Sequence, residues 1–122
     1  MIGVFLAGGT GAALRVALVP LLDERLQSVL PSAGTLVVNA IGCLAIGLGA
    51  AMLPEGSLRP ILLGGFLGGF TTYSAFGLLT YSHAQEGRYG VFAAHVLLHV
   101  ALGLAAVGLG LWLGRSLAPG QP

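Results

Sequence analysis

The side chains in this sequence best suited to chemistry are gathered in one stretch, Gly64 to Phe76, which reads GGFLGGFTTYSAF. It brings together Gly64, Gly65, Gly68 and Gly69, the hydroxyls of Thr71, Thr72 and Ser74, and the rings of Phe66, Phe70, Tyr73 and Phe76. No nucleophile–base pair and no pair of carboxylates accompanies them, so bond-breaking chemistry has no agents here. What the set can do is handle an ion. The stretch lies inside an apolar run from Pro60 to Tyr81, long enough to cross a bilayer at ~20 residues per span. Each glycine costs a helix about 1 kcal/mol against alanine, and lipid penalises any backbone group left unpaired. A span built this way is expected to break where protein or an aqueous path shelters it, and its freed carbonyls and amides can then bind ions. Glycines also let helices pack closely, but close packing alone requires neither the hydroxyls nor the spaced aromatics.

Three other places carry polar groups within apolar runs. GGTGAALR, Gly8 to Arg15, sets Gly8, Gly11 and Arg15 on one helical face. It is not a dinucleotide turn, because the GxGxxG spacing and the acidic ribose partner are missing. Arg15 has two roles open to it: snorkelling to the headgroups, or facing a vestibule that draws in anions. Asn39 opens NAIGCLAIG, Asn39 to Gly47. Its amide can bond across helices, or serve as a neutral donor pair in place of water around a small anion. His95 and His99 stand at i, i+4 on one face, continued by Gly103, Ala106, Gly110 and Gly114. No Cys, Asp or Glu in the core completes a zinc site with the two rings, so they are expected on the same polar track as Asn39 and the hydroxyls. His83 is expected in a loop.

The elements that must position these groups follow from composition. The chain has 122 residues, 56% hydrophobic and 7% charged, with a mean hydropathy of +0.94, against about 25% charged in soluble domains. An all-α membrane protein follows, one domain over residues 1–122, with spans at about 2–22, 33–53, 58–81 and 89–113. Turns are expected at Asp23–Ser28, Pro54–Gly56 and Ser82–Arg88, which hold all four acids (Asp23, Glu24, Glu55, Glu86). The N-terminus lacks a basic leader and is expected to be retained, and the tail LAPGQP to fray. A net charge of +1 without lysine leaves no footprint for nucleic acid. The lone Cys43 is expected to pack as a small hydrophobe. Arg59 and Arg115 fall on one side of the membrane, Arg25 and Arg88 on the other. Lys/Arg bias sets orientation, so a tie predicts insertion both ways and an antiparallel pair of chains around the broken span.

GGTGAALR, NAIGCLAIG and GFLGGFTTYSAF, in that order on spans one to three, resemble the Fluc (CrcB-type) fluoride channels over essentially the whole chain. The third motif is the most specific, close to the family pattern GFxGGxTTFSTF. The resemblance implies a fluoride channel of the bacterial plasma or inner membrane, exporting the anion from the cytoplasm down its electrochemical gradient. It further implies an antiparallel homodimer with two pores and one structural Na⁺ held by the main-chain carbonyls of Gly68 and Thr71. On the anion pathway it places Asn39, Tyr73 and Phe76, with Thr72, Ser74, His99 and Arg15 beside them. Aromatic edges carry the positive part of the ring quadrupole and can face fluoride as weak donors. Tyr73 stands where the family usually has Phe, Ala75 where it has Thr, and His95 and His99 where the fourth span shows Tyr and Ser. Some relatives work as two different subunits, so a partner-dependent or non-conducting half of a heterodimer is the alternative. A small proton-coupled exporter needs a titratable carboxylate inside the bundle, and every acid here falls at a predicted loop.

Overall fold

The computed structural model describes residues 1–118; of the tail LAPGQP, the residues from Pro119 onward lie outside the described part. The chain is all-helical: α1 (Ile2–Leu26), α2 (Ala33–Met52), a π-helical segment (Pro60–Leu67) running straight into α3 (Gly68–Phe70), then α4 (Tyr73–Gln85) and α5 (Tyr89–Leu117). Four helical lengths are long and apolar enough to cross a membrane: Ile2–Leu26, Ala33–Met52, Pro60–Gln85 and Tyr89–Leu117. Most large apolar side chains point outward, Phe5 at 79% and Leu104 at 71% exposed, as lipid-facing residues should.

Helix ends show why two expectations need correction. Asp23 and Glu24 belong to the last turn of α1, not to a loop. Asp23 is held there by its partner, since its Oδ1 accepts from the Gly34 amide at 2.7 Å. It thereby satisfies an orphan donor at the start of α2, whose own preceding residue, Ser32, makes no side-chain cap. His83 likewise lies in the last turn of α4 and is only 4% exposed. The helix continues to Gln85 and ends before Gly87, which takes a positive φ of 73° as helix-terminating glycines do.

Two seams of small residues fix the arrangement. In the first, α1 lies against the π-helical segment and α3. A β-carbon on Gly11 would run into the Phe66 carbonyl, and one on Gly69 into the Gly8 carbonyl. In the second, α2 lies against α5, where Gly47 abuts the Val107 carbonyl and Gly110 the Leu44 carbonyl. Gly110 and Gly114 on the small-residue stripe of α5 are buried. Backbone meets backbone along both seams, which is how helices associate where lipid offers no hydrophobic drive. Between α3 and α4 the chain is extended at Thr71 (φ −89°, ψ 160°) and Thr72 (φ −151°, ψ 118°).

Candidate ion pathway

The two extended residues redirect the hydrogen bonds around them. In an unbroken helix the Thr72 amide would close on the Gly68 carbonyl and the Ala75 amide on the Thr71 carbonyl. Instead Thr72 N–H donates to Asn39 Oδ1 at 2.8 Å, and Ala75 N–H donates to Thr72 Oγ1 at 3.1 Å, capping α4. The carbonyls of Gly68 and Thr71 thus lose their helical donors. Their neighbours are served by side chains: Asn39 Nδ2 donates to the Thr72 carbonyl at 2.9 Å, and Arg15 Nε to the Gly69 carbonyl at 3.2 Å. Asn39 and the Thr72 peptide therefore form a reciprocal pair, one amide mimicking another. Arg15, reaching from α1, is tied to the backbone beside the break. Thr71 Oγ1 is occupied too, donating to the Leu67 carbonyl at 2.9 Å.

A cavity of about 340 Å³ adjoins these groups. Asn39, Gly68, Thr71, Thr72, Tyr73, Phe76 and His99 line it, with Gly42, Cys43, Ile46, Leu67 and Val100. Seven residues named from sequence thus meet on one wall. Arg15 and Ser74 do not line it; Ser74 Oγ sits 3.3 Å from Thr72 Oγ1 on the exposed side. Gly42 and Cys43 were not singled out as lining. Gly42 is needed because a β-carbon there would strike the Thr71 methyl, so its small size lets the break lie against α2.

From the cavity a column of rings climbs between α4 and α5. Tyr73 stands edge-on to Phe76 at 5.5 Å, Phe76 lies 4.2 Å from His99, His99 5.7 Å from His95, and His95 stacks on His83 at 5.4 Å. His95, 1% exposed, has Nε2 2.7 Å from the Pro31 carbonyl, and His99 has Nδ1 2.9 Å from the His95 carbonyl. His83 enters this column as the residue the sequence missed. The signal was present: Tyr73, Phe76, Thr80 and His83 recur at i, i+3, i+7 and i+10, one face of a helix. Both ring nitrogens of His83, and Thr80 Oγ1, are buried without a partner among the described residues. No group of three or more His, Cys, Asp or Glu among the described residues is arranged to hold a metal ion.

Four apolar spans, with polar groups converging on a helix interruption beside a cavity, define an ion-handling integral membrane protein. The chain belongs to the CrcB-like family, described as "CrcB-like protein, Camphor Resistance (CrcB)", which it matches over residues 2–111. It is 47% identical over 117 residues to a "Fluoride-specific ion channel FluC" of Paracoccus denitrificans, covering 93% of each chain. To the protein of the same name from Solibacter usitatus it is 42% identical over 118 residues, covering 92% of this chain and 95% of that one. To that of Coxiella burnetii it is 38% identical over 120 residues. These relatives are channels by name, and the chain is not an enzyme.

Proposed function

We propose that this protein is a fluoride channel of a bacterial plasma membrane, letting the anion leave the cytoplasm passively. The observation that carries the reading is the hydrogen-bond rearrangement at Thr71 and Thr72. It opens a helix in the middle of its span, frees two carbonyls, and sets Asn39, Tyr73 and Phe76 around one cavity. The chain's relatives bear the name of fluoride channels.

The working unit is an antiparallel dimer. Tyr73 is 83% exposed in the single chain, a poor position for a pore ring unless a second chain covers it. The arginine tie between the two faces permits both orientations. The Gly68 and Thr71 carbonyls fit a structural Na⁺. They are neutral oxygens without their helical donors, and carbonyl oxygens suit a hard monovalent cation. Two chains would contribute them in duplicate, and the ion would fix the breaks against each other electrostatically. Fluoride then meets weak donors: the ring edges of Tyr73 and Phe76, the second N–H of the Asn39 amide, and the hydroxyl of Thr72, with Ser74 outside the cavity beside it. Weak donors replace part of the lost hydration without holding the ion too tightly to leave.

The test is fluoride efflux from liposomes that contain this chain alone, followed with a fluoride electrode under a potassium diffusion potential. Efflux above protein-free liposomes, with chloride retained, is expected. Efflux that appears only when a second subunit is added would replace the homodimer by a heterodimer, and retention of fluoride in every case would overturn the channel.

A further inference from the structure

Arg15 stands near the middle of α1, where a span offers a charge little solvation. A guanidinium keeps its proton in proteins and carries five N–H donors. One of these is spent, since Nε donates to the Gly69 carbonyl at 3.2 Å. Nη1 and Nη2 make no bond among the described residues, and no carboxylate there pairs with the charge. The ion pairs among those residues are Arg59–Glu55 and Arg88–Glu86. Asp23 and Glu24 come eight and nine residues later on the same helix, about 12 Å along its axis. Asp23 is moreover engaged by the Gly34 amide.

One hydrogen bond to a carbonyl does not require a charge. Glutamine carries its amide nitrogen as many bonds from Cα as arginine carries Nε, and would supply the same N–H at a smaller desolvation cost. What arginine adds is a fixed positive charge beside the interruption. Gly69 follows Gly68, whose carbonyl has lost its helical donor, and Thr71, whose carbonyl has lost its own, is two residues further on. Consecutive Cα atoms lie about 3.8 Å apart, so the charge sits within a few peptides' length of both oxygens. Asn39, the other side chain bonded to the break, is neutral.

We propose that Arg15 sets the specificity of the Gly68 and Thr71 carbonyls: its uncompensated charge restricts them to a singly charged cation and lowers their affinity for it. The inference rests on the reading above that these carbonyls hold Na⁺, and adds the group that selects the ion by its charge. Carbonyl oxygens alone do not make that selection, because Ca²⁺ also takes backbone carbonyls as ligands. Repulsion from Arg15 is twice as large for a doubly charged ion as for Na⁺ in the same place, and a low dielectric magnifies the difference. In the proposed dimer each chain contributes one guanidinium, so the penalty acts from both sides.

Two substitutions separate the charge from the hydrogen bond. Arg15→Gln keeps an N–H at the place of Nε and loses the charge, whereas Arg15→Lys keeps the charge and has no donor at that place. Each protein is equilibrated in non-ionic micelles at constant ionic strength, with NaCl or CaCl₂ replacing the chloride of a large organic cation. Dimer fraction is read by cross-linking and size exclusion. The wild type should dimerise with Na⁺ and respond little to Ca²⁺. In Arg15→Gln the Na⁺ midpoint should fall about tenfold and the Ca²⁺ midpoint about a hundredfold, because the lifted repulsion acts on twice the charge. Arg15→Lys should keep the wild-type order of the two ions, whatever its overall stability. Wild-type midpoints in Arg15→Gln, or a Ca²⁺ response in Arg15→Lys, overturn the proposal and leave Arg15 a hydrogen-bonding residue alone. An Arg15→Gln chain that dimerises in neither salt overturns it too. A wild type indifferent to Na⁺ would fault the cation reading itself, and the Arg15 proposal with it. Fluoride flux does not enter these measurements, so the channel reading is judged separately.

Discussion

Replacing Asn39 separates its structural role from its role toward the anion. Asn39→Leu removes both bonds to the Thr72 peptide, of 2.9 and 2.8 Å, and leaves that peptide's N–H and C=O unpaired. Side-chain hydrogen bonds within membrane bundles average ~0.6 kcal/mol, which sets a floor of about 1.2 kcal/mol for two. Leaving two buried groups unsatisfied costs about 1–3 kcal/mol each, which sets a ceiling of about 6 kcal/mol. An extended peptide at a break has no helical partner to fall back on, so a loss of about 3 kcal/mol is expected, near the middle of this range. Asn39→Asp keeps the acceptor for Thr72 N–H but loses the donor to the Thr72 carbonyl. It should cost about half as much while blocking flux more severely, because a carboxylate puts a like charge in the anion's path. Acidification should partly reverse that variant's defect, since a protonated carboxyl can again donate to the Thr72 carbonyl. Dimer stability in micelles and liposome efflux, measured on the same preparations, give the two orderings. Wild-type stability in Asn39→Leu would refute the reciprocal pair, and wild-type flux in Asn39→Asp would remove Asn39 from the pathway.

Three further outcomes follow from the geometry. Gly11→Ala should destabilise by about 1–3 kcal/mol or more, as overpacking does, because its β-carbon meets the Phe66 carbonyl; Gly9→Ala on the same helix meets nothing within 4 Å and should be neutral or mildly stabilising in unfolding assays. Phe76→Ile should cut fluoride efflux at least tenfold, because it removes a ring edge that an aliphatic side chain cannot replace, whereas Tyr73→Phe should keep flux within a few-fold, and the reverse ranking would move the pore off this pair. Exchanging Na⁺ for a large organic cation should lower dimer stability in the wild type, read by cross-linking or size exclusion, and identical dimer fractions in both salts would remove the cation from Gly68 and Thr71.

Much of this arrangement was legible because lipid leaves so few choices. Four apolar runs separated by short polar turns admit little but a helical bundle, and the glycine–hydroxyl–aromatic stretch contains the two residues, Thr71 and Thr72, that the structure shows extended. Asn39, Thr72, Tyr73 and Phe76, named from their types, also line one cavity, although its wall is mostly apolar. Their pairing did not follow from type: nothing local says that Asn39 spends its amide on the Thr72 peptide, or that Arg15 serves the Gly69 carbonyl. Both bonds join residues far apart in the chain and exist only once the spans pack. Hydropathy alone misplaces Asp23 and His83, because each is a polar residue inside the last turn of a helix rather than beyond its end. Each is retained by a partner that only the folded chain supplies, the Gly34 amide for one and the His95 ring for the other. The π-helical winding of Pro60–Leu67 has no signature in the residues beyond their glycines.

The order in which the chain is made bears on how such an interruption can be tolerated at all. The side chains that take up the stray groups at residues 69 and 72 come from positions 15 and 39, both synthesised earlier than the segment they serve. Domains form from the N-terminus during translation, at about 5–20 residues per second. When the third segment leaves the ribosome, its two guarantors have already existed for roughly a second or more at that rate. The peptide at Thr72 need never wait in hydrocarbon for a partner that has not been made. Moving the first two spans behind the third in a permuted gene would keep every contact of the finished protein yet reverse that sequence, so biogenesis should suffer where the folded product does not.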